Sequence, residues 1–305
     1  MGNSGRIMGE FSSRRRAGWL HISLAAAAMA SGLGWGLTRP AAASPPSNPW
    51  AASVSDATRR DAVQAIPLEK LLPNDRAKVQ SVLSNVSIFR RLPTKVVDCD
   101  PDLYLFVVRH PDIVINIWEI MKVSQLQLRQ IDENQFQLSE PGGTMTQFAF
   151  VYRNHDTHVL YGEGTYEGPL MGRPVKGRGV LVLKCGYVRE TNGRYYITSR
   201  VDCFLTIEPA GAELFTKTVS PLMGKTADNN FIQTVSFVSS LSRTAETNSR
   251  GVQHLASHLQ RVQPEVRARF AEVAADVAQK SATAAGPETV SRAGSANPSA
   301  DAVQR

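Results

Sequence analysis

The sequence predicts an α+β fold in which a curved antiparallel sheet wraps around a long C-terminal helix. Three observations lead there. Two short apolar helices meet at Pro111, segments from Val123 to Glu208 alternate apolar and polar residues between turn signals, and Phe231, Thr234, Val235, Val238 and Leu241 recur at helical spacing. With 305 residues and 42% apolar content, the chain can build one full core and still carry substantial tails.

Residues 1–43 form the first tail. Arg14, Arg15 and Arg16 precede an uncharged stretch from Ala17 to Leu37, and the small residues Ala41, Ala42 and Ala43 follow. This is the pattern of an export signal with its cleavage site, which would deliver the protein to a periplasm or to the medium. The stretch also has the ~20-residue length of a bilayer span, so the alternative is an uncleaved leader that tethers the protein to a membrane surface. Removing residues 1–43 leaves 29 basic against 26 acidic residues, a balance of +3 in place of +7. No dense basic stripe with interleaved aromatics remains, so nucleic acid is not an expected partner.

Residues 44–70 open with Pro45, Pro46 and Pro49 among serines and read as a linker. The folded domain is expected over 71–262. A helix from Asp75 to Val86 follows a cap at Asn74, and a short strand from Ser87 ends before Pro93. Asp100-Pro101 opens the next helix, because proline fits a first helical turn, and Pro111 ends it and starts another carrying Ile113, Ile117 and Trp118. A buried strand is the alternative for Asp112 to Met121, where β-branched residues are dense. Strands are predicted at 123–131, 136–138, 145–153, 158–167, 179–190 and 194–208, joined by turns at Asp132–Asn134, Gly142-Gly143 and Asn192-Gly193. Thr226 or Asp228 would cap the long helix. Beyond it, residues 263–305 read as a short amphipathic helix (Val266, Phe270, Val273, Val277) and a disordered Ala/Ser/Gly/Pro tail.

Strand, helix pair, antiparallel strands and long final helix, in that order over roughly Leu71 to Asn248, resemble the helix-grip fold of the START and polyketide-cyclase-like (SRPBCC) superfamily. The resemblance rests on element order and carries no signature motif. It implies a cavity between the sheet and the C-terminal helix, used in that superfamily for lipids, sterols, polyketides and other apolar ligands. On these positions the lining would come from Phe231, Val235, Val238, Phe148, Phe150, Tyr161 and Phe204. Residues 210–225 are an extra segment that would plug or lid such a cavity.

Candidate chemistry is sparse. Arg173, Lys176 and Arg178 gather three cations on a Pro- and Gly-punctuated loop, a pattern suited to a carboxylate, sulfate or phospholipid head group, with solvated loop charge as the default reading. Glu163 and Glu167 share a strand face by parity and with Asp202 would form a carboxylate group, but solvent-facing charge on a half-exposed sheet is the simpler explanation. His155 and His158 sit three apart in a hairpin, which in extended backbone turns them to opposite faces and argues against a metal. Arg109-His110-Pro111-Asp112 joins the paired helices and is expected to hold them by a salt bridge. Gly162 and Gly164 are expected to relieve crowding where a bent strand crosses the helix. Cys99, Cys185 and Cys203 read as buried thiols, and a three-residue loop pairing Thr191 with Tyr195 would make Cys185 and Cys203 diagonal neighbours.

No cofactor, metal or catalytic set emerges. The favoured reading is an exported, non-enzymatic protein that binds an apolar or amphipathic small molecule. The alternative is an envelope-associated structural or interaction protein whose interior is filled by its own aromatics. An enzymatic reading requires an acid/base pair drawn from His110, Glu163 and Asp202 inside a cavity.

Overall fold

A computed structural model describes residues 48–167, 174–208 and 220–284. Residues 1–43, expected to be an export signal, Arg173, Gly168, most of the segment 210–225 and the tail beyond 284 lie outside the described residues. The described elements, in order, are α1 (Asp56–Gln64), a 3-10 turn (Leu68–Lys70), α2 (Pro73–Ser84), β1 (Ile88–Arg91), β2 (Lys95–Asp98), α3 (Pro101–Arg109) and α4 (Pro111–Ile120). They continue with β3 (Gln127–Asp132), β4 (Gln135–Glu140), β5 (Thr144–Arg153), β6 (Thr157–Tyr166), β7 (Val175–Arg189), β8 (Tyr195–Ile207), α5 (Ser220–Ser257) and α6 (Pro264–Ala284).

The fold is α+β, with one open antiparallel sheet in the order β1-β8-β7-β6-β5-β4-β3. β2 pairs with β8 on the same edge as β1, the two lying end to end. The meander from β3 to β8 follows the predicted turns, and Gly143 (φ 93°) and Gly193 (φ 79°) supply the left-handed backbone two of them need.

Both faces of the sheet are covered. On the front face, α3 to α6 pack Leu103, Ile113, Ile117, Leu241 and Phe270 onto Val97 and Ile197. On the back face, α1 and α2 bring Ala62, Val79 and Val82 against Val159, Val180, Val182 and Phe204. Because β7 and β8 are buried on both sides, their apolar residues run on at both parities instead of alternating strictly.

The helix pair forms as its sequence dictates. The Asp100 carboxylate accepts from the amides of Asp102 (2.9 Å) and Leu103 (3.1 Å), and Pro101 and Pro111 sit at the first helical positions. Other expectations need correction. Asn74 lies inside α2, whose cap position is Leu72 with no side-chain cap, Pro73 taking N1. Asp228 is not a cap either: α5 has already begun at Ser220, and the Asp228 carboxylate instead receives the Arg90 guanidinium from β1, Nε at 2.8 Å. The helix kinks at Asn248 (φ −148°, ψ 59°), whose Oδ1 accepts from the Gly251 amide at 3.0 Å and so caps the second half.

The stretch 44–70 contains α1, with Ala62 and Ile66 in the back core. Its docking rests on an ion pair that no local pattern announces, Arg91 Nη2 to Asp61 at 2.8 Å. The helix after 263 is part of the front core. Phe270 is fully buried and stacks on Phe106 at 6.2 Å, while Lys280 reaches Asp100 (3.2 Å) and Asp102 (2.6 Å).

All three cysteines are free thiols. The β7–β8 hairpin pairs Arg189 with Tyr195, so Cys185 faces Ser199 and Cys203 faces Leu181. This register slides the two further apart than the three-residue loop predicted. Burial pushes the thiols up to about 12 (Cys99), 11 (Cys185) and 12 (Cys203), which keeps them protonated and inert.

Crowding at the β6 glycines comes from the neighbouring strand, not from the helix. A Cβ on Gly164 would stand 2.6 Å from Thr146 Oγ1 and 2.9 Å from the Met145 carbonyl oxygen, whereas one on Gly186 would meet nothing nearer than 3.9 Å. Gly164→Ala is therefore expected to destabilise by about 1–3 kcal/mol, and Gly186→Ala to stay within about 0.5 kcal/mol of the parent. Urea unfolding of both variants checks the contrast, and equal effects would remove the steric explanation.

Candidate functional site

α1 and α2 cover only part of the back face. Where their cover ends, the sheet opens into a trough of about 760 Å³ lined by β4 to β8. Register sets its walls: Glu163 pairs with Gln147 on one side and Arg178 on the other, and Thr165 pairs with Met145 and Lys176. Gln137, Ser139 and Thr206 also line it, as do the carboxylates of Glu140, Glu167 and Glu208. Beside the trough, the Tyr161 hydroxyl donates to Glu163 Oε1 at 2.5 Å and Arg178 Nη1 donates to Ser81 Oγ at 3.4 Å. Lys78 stands 5.7 Å over the Tyr161 ring. Burial, and then the Glu163 carboxylate, push the Tyr161 hydroxyl up to about 12, so it remains a donor at neutral pH.

Lys176 and Arg178 belong to β7 itself, not to a loop. Both are exposed, and neither makes an ion pair with a described residue. Among the described residues, then, these two cations are available to a ligand. Arg173, the third residue of that group, lies outside the described residues.

The seven residues expected to line a cavity under α5 divide between the two faces. Phe148 and Phe150 are on the front face, where Phe148 stacks on Phe136 at 5.3 Å and Phe150 meets Phe136 edge-on at 6.1 Å. Val235 and Val238 approach the same side in the helical core, and Phe231 is half-buried on α5. Tyr161 and Phe204 are on the back face, in the cluster under α1 and α2, because they pair with Ala149 and Val180 and share their parity. A bulge in β5 between Phe150 and Tyr152 adds to the difficulty of carrying parity across strands.

The proposed acid/base partners are equally scattered. Asp202 is fully buried and locked to Arg91 by two hydrogen bonds, 2.6 Å to Nε and 2.9 Å to Nη2. Glu163 faces the trough and His110 sits at the α3–α4 junction. His155 is exposed against Tyr187 (4.2 Å) and His158 is fully buried near Phe150 (6.2 Å), both on the front side of the sheet and not on the opposite faces that extended spacing predicts. Among the described residues no group of three His, Cys, Asp or Glu could hold a metal ion.

Around the α3–α4 junction lies a second polar group, in which His158 and Asp112 are buried and Arg109 and His110 half-buried. His158 has no partner at either ring nitrogen, and His110 Nδ1 and Arg109 Nε lack partners too. Arg109 Nη2 reaches the Asn154 carbonyl at 3.5 Å, not Asp112, so the expected salt bridge does not form. Burial, followed by the charges of Arg109 and Arg153, drives both histidines down to about 4. Asp112 is fully buried with neither oxygen in hydrogen-bonding geometry, and burial pushes it up to about 6 against the pull of the Asp112 and Ile113 amides.

Asp112 thus carries a cost whenever it is ionised. Its folded value exceeds the ordinary 3.8, so that cost is absent below pH 3.8 and fully present above pH 6. Asp112→Asn is expected to stabilise the protein at pH 7.5 by up to about 3 kcal/mol, with the gain vanishing at pH 3.5. Paired denaturation curves at the two pH values measure it; a loss of stability at pH 7.5 would show a partnered carboxylate.

No protein-family model matches the sequence, and no curated protein matches it. Solved structures do align. A hypothetical protein, jhp0584, from Helicobacter pylori aligns at 11% identity and TM-score 0.32, over 48% of this chain and 87% of that one. The di-domain ARO/CYC BexL from the BE-7585A biosynthetic pathway aligns at 15% identity and TM-score 0.33, over 61% of this chain and 60% of its own length. Apo dicamba monooxygenase aligns at 10% identity and TM-score 0.28, over 66% and 60%. At these scores the alignments carry no functional argument.

Proposed function

We propose that this chain is an exported, non-enzymatic protein that binds a small amphipathic molecule bearing an anionic group, on a fold akin to the helix-grip superfamily. The observation that supports it is the trough of about 760 Å³, a volume typical of ligand sites, with Lys176 and Arg178 free of ion pairs to described residues on one wall. Their cations would take the ligand's carboxylate, sulfate or phosphate, with the Glu140, Glu163, Glu167 and Glu208 carboxylates of the same lining confining that group to the β7 wall. Gln137, Gln147 and Thr165 offer neutral hydrogen bonds beside them, and exposed Met145 offers apolar contact. Nothing in the trough provides an activated nucleophile, and His110, Glu163 and Asp202 are too dispersed to work as an acid/base set.

One observation favours a second reading. Phe136, Phe148 and Phe150 fill the front face against one another and against Ile115 of α4, which suits an envelope-associated interaction protein with a filled interior.

A dansyl-labelled undecanoic acid tests the first reading by fluorescence titration. Saturable binding is expected, with Lys176→Glu and Arg178→Glu each weakening it about tenfold, the scale of one lost charged hydrogen bond. Both residues are exposed, so circular dichroism should be unchanged. Absence of saturable binding, or binding indifferent to both substitutions, would remove the trough as the site and leave the second reading.

A further inference from the structure

Large apolar side chains stand exposed at the opposite end of the back face. Val96 is 51% exposed, Val188 54% and Trp50 50%. Register brings them together. Val96 pairs with Thr198, which pairs with Gly186, and Val188 pairs with Tyr196, so Val96 and Val188 share a face about 12 Å apart at ordinary strand spacings. Gly186 lies between them with no side chain to fill the gap. The Thr94 amide donates to the Trp50 carbonyl at 3.0 Å, which holds Trp50 beside the chain two residues before Val96.

Isolated exposed hydrophobics are ordinary, but a tryptophan grouped with two valines on one sheet end is a contact surface in search of a partner. The chain itself indicates which partner. Trp50 is separated by only twelve residues from the uncharged stretch 17–37, whose length matches a bilayer span. Fully extended, those twelve residues reach at most about 43 Å, so a retained leader keeps this end of the sheet within reach of the bilayer. Tryptophan favours the head-group level of a membrane.

We infer that the Trp50–Val96–Val188 end of the sheet rests on the lipid surface, inserting its side chains at the head-group boundary. This leaves the trough at the other end of the same face, about ten residues of β7 from the contact. The inference is independent of what the trough binds, and it requires the leader to remain attached.

Full-length chain carrying Trp19→Phe and Trp35→Phe retains Trp50 and the buried Trp118 as its tryptophans. It is reconstituted with phosphatidylcholine/phosphatidylglycerol vesicles whose acyl chains are brominated near the head group. Quenching of about a third or more of the emission is expected, with Val96→Asp/Val188→Asp reducing that quenching at least twofold while vesicle co-flotation persists through the leader. Chain that floats with vesicles but is unquenched would show tethering without contact and overturn the inference. So would quenching indifferent to the double substitution, or failure to float at all.

Discussion

The fold depends on keeping β8 buried on both sides. It pairs with β7 along one edge and with β1 and β2 along the other, so its side chains meet α1 and α2 behind and α3 to α6 in front. A strand in that position tolerates a charge only if the charge is neutralised in place. Asp202, without solvent exposure, meets this condition through two hydrogen bonds from Arg91 of β1. Removing one partner of such a pair costs about 3–5 kcal/mol because the survivor is left buried alone. The same arginine then extends to Asp61, so the charge that β8 requires also fixes α1.

Similar ionic contacts recur between the helices and the sheet edge, and between one helix and another. Arg194 at the head of β8 binds Asp98 of β2 and Glu246 of α5, Arg90 binds Asp228, and Arg261 after α5 binds Glu119 of α4 at 2.8 Å. Apolar burial supplies the attraction but is indifferent to rotation or sliding of a helix along the sheet. Part-buried pairs between distant segments remove that freedom, which explains why α5 lies over the β1–β2 edge although its apolar stripe alone would allow several placements.

Most of the architecture was legible because its determinants are local. The meander from β3 to β8 follows from alternation and turn residues, and the α3–α4 pair follows from Asp100, Pro101 and Pro111. What could not be read depends on partners far away in sequence. α1 has few apolar residues and is held through Asp61, so its sequence resembles a linker. α6 is visibly amphipathic, yet only the location of Phe106 shows that Phe270 belongs to the core. The division of Phe148 and Phe150 from Tyr161 and Phe204 escaped because face assignment requires cross-strand register, and Tyr161 pairs with Ala149, between the two phenylalanines.

The trough illustrates both conditions at once. Along the back face of β6 and β7, residues of one parity change from Val159 and Tyr161 to Glu163 and Thr165, and from Val182 and Val180 to Arg178 and Lys176. The change occurs on the same face of continuous strands, so it cannot reflect a switch between inside and outside of the sheet. It marks the line where α2 stops covering it. The polar residues were conspicuous in the sequence, but Gly177 and Gly179 gave their segment the look of a loop. These glycines accommodate the close approach of β8, with the Thr206 carbonyl oxygen 3.3 Å from where a Cβ on Gly177 would stand. The composition that disguised the strand is therefore a consequence of the tight strand packing that builds the trough floor, and the cations beside it are presented by rigid backbone.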